Sequence, residues 1–143
     1  MPSSHDVDGV FPLRDEIEDF AGKQRRFLIT CYSTPVGYTV RAEEEGTDGC
    51  GYEFRSYSET TPSAALGRVR EKMRRALATR HITAGPGGYE MTHDMVRGRI
   101  TWDSEQDVGL VVDGILLNLE QFGSILGSHE GWGFELRLVD PLE

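Results

Sequence analysis

TPSAALGRVREKMRRALATR, residues 61–80, is the stretch on which the fold turns. Its apolar residues Leu66, Val69, Met73, Ala76 and Leu77 recur at steps of three and four and so form one stripe along a helix. Thr61 followed by Pro62 reads as an N-cap with a proline at the first helical position. The opposite face carries Arg68, Lys72 and Arg75, again at helical spacing. A helix with one apolar stripe needs an apolar surface to lie on, and the residues before it supply one.

Working toward the N-terminus, YEFRSYS (52–58) reads as a strand with Tyr52, Phe54 and Ser56 on one side. The loop GTDGCG before it has Asp48-Gly49 as its hairpin corner. VGYTVRAEE (36–44) alternates Tyr38 and Val40 with Thr39 and Arg41, and RRFLITCYS (25–33) alternates Phe27, Ile29 and Cys31 with Leu28, Thr30 and Tyr32. The turn between them is Thr34-Pro35-Val36-Gly37. The order is strand, strand, strand, helix: an antiparallel meander with one face covered. PLRDEIEDFA (12–21) reads as a short helix presenting Leu13, Ile17 and Phe20, within a flexible N-terminal segment 1–24 whose first ten residues are expected to be disordered.

Toward the C-terminus, HITAGPGG (81–88) ends the helix, and its Gly85-Pro86-Gly87-Gly88 reads as a linker or long turn, dividing a lobe of residues 25–82 from one of 89–141. The second lobe is strand-rich. MVRGRITWD (95–103), VGLVVDG (108–114) and ILLN (115–118) are expected as strands, the second ending in the hairpin signal Asp113-Gly114. Asn118 with Gln121 forms a capping-box pattern for a short helix that offers Leu119, Phe122, Ile125 and Leu126 to the core. A turn, HEGWG, leads to a closing strand at 134–140, and Leu142-Glu143 reads as a cloning remnant. The expected class is therefore α+β, with antiparallel sheets in both halves and one helix in each.

Composition narrows the function. The 143 residues carry 24 acids against 15 bases, a formal charge of −9, which disfavours a general nucleic-acid or anionic-membrane binder. Two cysteines, Cys31 and Cys50, make no disulfide framework. No apolar run reaches a membrane-spanning length, and the opening residues do not form a secretion signal, so the expected location is cytoplasmic.

Four chemistries can be weighed on the residues. Arg68, Lys72 and Arg75 could meet successive phosphates, although a charged outer face on a sheet-covering helix is ordinary, and Glu71 among others is there to neutralise it. Cys31, Cys50, His81, His93 and His129 lack the close pairing of zinc ligands, so no metal or other cofactor is expected. Neither a GxSxG elbow nor a P-loop is present, and a hydrolase or transferase would need a pocket holding His93 or His129 beside an acid. Trp132, between two glycines, is either a turn aromatic closing over the core or an exposed anchor for a partner protein.

DGILLNLEQFGSILGSHEGWGFELRLVD (113–140) resembles the C-terminal region of an uncharacterised bacterial protein family, and AALGRVREKMRRALATRHI (64–82) resembles a helix upstream in that family. The resemblance implies that Gly114, Phe122, Gly123, Gly131 and Trp132 belong to a recurring structural frame; it implies no catalytic residues. In outline, the order of elements over 25–80 is also similar to antitoxin-type domains related to the double-stranded-RNA-binding fold.

The reading that follows is a non-enzymatic binding or adaptor protein acting through protein contacts, with an unidentified partner or with itself as a homodimer. Next comes a nucleic-acid-binding, antitoxin-like regulator using the basic helix face. A small hydrolase or transferase stands third.

Overall fold

The computed structural model of the chain describes residues 10–143. Its first half is a four-stranded antiparallel sheet in sequence order: β1 (Leu13–Glu18), β2 (Gln24–Thr34), β3 (Gly37–Glu44) and β4 (Glu53–Ser58). Helix α1 (Pro62–Leu77) follows and packs on it. The strand alternation expected for β2 holds: Phe27, Ile29 and Cys31 are fully buried on one face. Their cross-strand partners Ala42 and Val40 extend the same face, as do Phe54 and Ser56 on β4. Helix α1 lays Ala65, Val69, Met73 and Leu77 across it, each four residues from the last and each fully buried. Thr61 caps the helix by accepting from the Ala64 amide at 3.1 Å.

Residues 13–18 are not the helix expected of them. They form β1, paired with β2 from Leu13 opposite Ile29 to Glu18 opposite Gln24. Leu13 and Ile17 are four apart, a spacing that suits one face of a helix and one face of a strand alike. The residue that would decide between them, Asp15, sits at the inward position and is charged. Arg70 of α1 resolves this, donating to both Asp15 oxygens at 2.9 and 3.0 Å. The expectation of disorder concerns residues that, Val10 apart, lie outside the described ones.

The second half has a separate core of Ile82, Val112, Leu117 and Ile125, with Tyr89, Met91, Val96, Leu110, Ile115 and Phe122 packed around it. It holds a hairpin, β5 (Ile82–Gly85) and β6 (Gly88–Met91), and a three-stranded sheet of β7 (Arg99–Trp102), β8 (Val108–Val112) and β9 (Ile115–Asn118). Helix α2 (Leu119–Gly127) completes it, with the Asn118–Gln121 capping box formed in both directions; Ile125 and Phe122 face the core as expected, whereas Leu119 and Leu126 are exposed. At the β8–β9 turn Asp113 (φ 54°) and Gly114 (φ 76°) both take the left-handed conformation that a tight hairpin requires.

Three further expectations in this half are corrected. The glycine-rich stretch at 81–88 is not a linker: Gly85 pairs with Gly88 across Pro86-Gly87, and the hairpin so formed contributes Ile82 to the second core. The change from one core to the other therefore falls between Leu77 and Ile82. Only Arg99–Trp102 of the strand expected over 95–103 is paired. The closing strand expected over 134–140 pairs with no other strand among the described residues. No helix among the described residues is long and apolar enough to cross a membrane.

Candidate functional site

The basic face of α1 is engaged with the protein itself. Strand β4 is the last strand of its sheet, so its outer backbone groups have no strand partner. Arg68 Nη1 donates to the Tyr57 carbonyl and Lys72 Nζ to the Arg55 carbonyl, both at 2.6 Å. Lys72 also reaches the Pro141 carbonyl at 3.0 Å. Burial lowers the Lys72 pKa, an effect that nearby Asp140 and Glu143 partly offset. Arg75 and Arg74 both pair with Glu71. The three residues proposed for phosphate contact thus divide between capping a sheet edge and a local ion pair.

A second charged group, which the sequence did not single out, lies where the two halves meet. Arg25 bridges Asp19 and Glu44, its Nε and Nη1 each 3.0 Å from a carboxylate oxygen, and lies over the Tyr52 ring. Burial works to raise the Asp19 carboxyl, but the amides of Lys23 and Ala21 and the Arg25 guanidinium together hold it below the usual carboxylate range. Burial, with the Asp113 charge behind it, pushes the Tyr52 phenol up. From the other half, Gly114 approaches so closely that a β-carbon there would stand 2.8 Å from the Tyr52 ring. Asp113, buried beside it, accepts from the His81 and Ile82 amides at 2.8 and 2.9 Å and meets His81 Nδ1 at 2.9 Å. Arg99 Nη2 donates to the carbonyls of Gly49 and Gly51. Each carboxylate here has its donors. The cluster joins the halves, and within it the buried Tyr52 hydroxyl and Arg99 Nε are left without a hydrogen-bond partner.

The third surface is apolar. Direct cross-strand pairing places Ile100, Leu110 and Leu117 on one face of the β7–β8–β9 sheet, together with Trp102 and Val108. Leu117 is in the core, yet Ile100 is 57% and Trp102 68% exposed. Helix α2 packs against β9 and β8, and the β5–β6 hairpin joins the same core, while Ile100 and Trp102 of β7 stay bare. Trp132 does not close over the core; it is 69% exposed, edge-on to His129 with ring centroids 5.0 Å apart. Beyond it Phe134, Leu136 and Leu138 alternate along an unpaired segment and are 89%, 79% and 72% exposed. Alternation is the signal that made this segment look like a strand, and the pattern stands although the partner strand is missing.

Two family models match this chain. Residues 11–78 match a domain of unknown function (DUF7686) and residues 81–143 a second domain of unknown function (DUF7713). The matched ranges part between residues 78 and 81, where the two cores part. No curated protein and no solved structure matches the chain.

Neither His93 nor His129 stands beside an acid in a pocket. His93 is exposed, and His129 Nδ1 lies 3.1 Å from the hydroxyl of its neighbour Ser128 on the surface. Two shallow concavities are lined by Asp103, Ser104, Glu105, Leu116, Asn118 and Gln121 and by Arg14, Asp15, Glu16, Arg26 and Glu45; neither holds a histidine. No three His, Cys, Asp or Glu side chains converge as metal ligands among the described residues.

Proposed function

We propose that this chain is a non-enzymatic binding or adaptor protein working through protein–protein contacts, and that the exposed apolar residues of its second half form the contact surface. One observation carries the reading: Trp132, Phe134, Leu136 and Leu138 stand in water within seven residues of chain. Removing each such side chain from water is worth about 1.5–3 kcal/mol, and exposed aromatics are frequent binding anchors. A bacterial source, as the Asp-Gly, Glu-Gln-Phe-Gly and His-Glu-Gly-Trp-Gly-Phe pattern suggests, and a cytoplasmic setting belong to the same proposal.

The alternatives have less support in the geometry. A nucleic-acid surface would have to release Arg68 and Lys72 from the β4 carbonyls. A hydrolase or transferase would have to assemble around histidines that lie outside both concavities. The test is a photo-crosslinking amino acid placed at position 134 and, separately, at Glu18 on the charged β1 edge, in living cells. A defined protein adduct at 134, absent at 18 and lost with Trp132→Ser, is the expected result. Equal adducts at both positions, or nucleic acid in place of protein, would sink the proposal.

A further inference from the structure

We infer that the partner of the apolar surface is a second copy of this chain, each copy laying its segment 134–139 along the open edge of the other's β7. The inference rests on the reading just given and names the partner of that surface. It starts from what a sheet edge requires: an unpaired strand exposes backbone donors and acceptors, and proteins that stay apart shield them. Six strands have an outer side, β1, β4, β5, β6, β7 and β9, and three of them differ sharply in what lines that side. Strand β1 is lined by Arg14, Asp15, Glu16 and Glu18, with Arg14 and Arg26 paired to Glu45 and Glu16. Strand β4 is capped by Arg68 and Lys72. Strand β7 carries Ile100 and Trp102, exposed and continuous with the core face of its sheet.

The segment that fits this edge is in the same sequence. A strand added to β7 must present apolar side chains at every second position to extend the face of Ile100 and Trp102. Phe134, Leu136 and Leu138 do so. Charge agrees: residues 95–102 carry no acid and offer Arg97 besides Arg99, which is held by the Gly49 and Gly51 carbonyls, while residues 130–139 carry Glu130 and Glu135 against the single Arg137. Within one chain the segment does not take this place; it leaves α2 without pairing and ends against α1, where Lys72 donates to the Pro141 carbonyl. One molecule therefore shows both an unfilled edge and an unpaired strand, and reciprocal exchange between two copies fills both and closes the assembly.

The test measures the mass of the full chain by sedimentation over a hundredfold range of concentration, with amide exchange followed in residues 96–102 and 134–139. The expected result is a dimer in which both stretches are protected and exchange faster on dilution. Leu136→Pro removes a strand donor in an exposed segment, and Ile100→Lys places a charge on the open face; each is expected to weaken association at least about tenfold. Mixing the two variants should restore association in part, since each keeps the half the other lacks. A monomer with both stretches protected would mean closure within one chain and overturn the inference. A monomer with both unprotected would also overturn it while leaving the protein-contact proposal to the crosslinking experiment.

Discussion

Strands β4 and β7 are both sheet edges, and the chain treats them in opposite ways. Along β4, a helix whose apolar face builds the core turns Arg68 and Lys72 onto the outer carbonyls of Tyr57 and Arg55. Along β7, the adjoining helix is nine residues long and covers only the far end of its sheet. One edge is thus finished within the chain and the other is not. In α1, sixteen residues give both a buried stripe and side chains that reach past the sheet. The second half leaves Ile100 and Trp102 of its own apolar face uncovered, and that makes it the place to look for a partner.

The contrast is broken or sharpened first at the cores. Phe27 is fully buried and packs at 6.5 and 6.1 Å from the Tyr52 and Phe54 rings. Phe27→Ala is expected to cost about 3–5 kcal/mol, read as a lower urea midpoint for the first half. Trp102→Ala, at an exposed edge, should change the stability of a dilute monomeric sample by less than about 0.5 kcal/mol. Comparable losses at both sites would mean that the β7 face is covered after all.

The junction comes next. Asp113→Ala leaves the His81 and Ile82 amides without their acceptor, and a buried donor left unmade costs about 1–3 kcal/mol. The loss should fall on the second half, with amides of β5, β8 and β9 exchanging faster while β2 and β3 stay protected. Uniform loosening across both halves would show that the two cores unfold as one unit.

Acid titration probes the same junction from the other side. Asp19 has a native pKa below its ordinary value of 3.8, so folding favours its ionised form. That contribution is complete above pH 3.8 and is lost as pH falls below it toward the lowered native value. Thermal melts from pH 6 down to pH 2, over about that span of conditions, should show an acid limb that Asp19→Asn flattens. An unchanged limb in the variant would assign the acid sensitivity to other carboxylates.

The α+β class, both helices with their caps and the Asp113-Gly114 turn were legible because each rests on local chemistry: a stripe, a cap, a left-handed corner. What was not legible depends on residues far apart in sequence. Asp15 reads as a surface acid until Arg70, fifty-five positions on, is brought to it. Gly85 to Gly88 read as a break, since nothing local shows that Ile82 and Met91 pair across it. Segment 134–140 has the alternation of a strand, but alternation reports a surface to be covered and not the chain that covers it. Of the site residues, Trp132 could be named from sequence, whereas Ile100 and Trp102 could not, because their exposure depends on which strands α2 packs against.

The smallest expected effect tests the capped edge directly. Lys72→Ala removes the bonds to the Arg55 and Pro141 carbonyls, each worth about 0.5–1.5 kcal/mol, and both carbonyls can turn to water in exchange. The melting temperature should therefore fall only slightly. The larger consequence is for association: with Arg68→Ala added, β4 presents the same bare carbonyl edge as β7 and should begin to draw chains together as concentration rises. The double variant is best made in the Leu136→Pro background, where pairing at β7 is already removed, so that any new association belongs to β4. If it stays monomeric there, the basic side chains are not what keeps β4 closed, and the difference between the two edges lies in the exposed Ile100 and Trp102 alone.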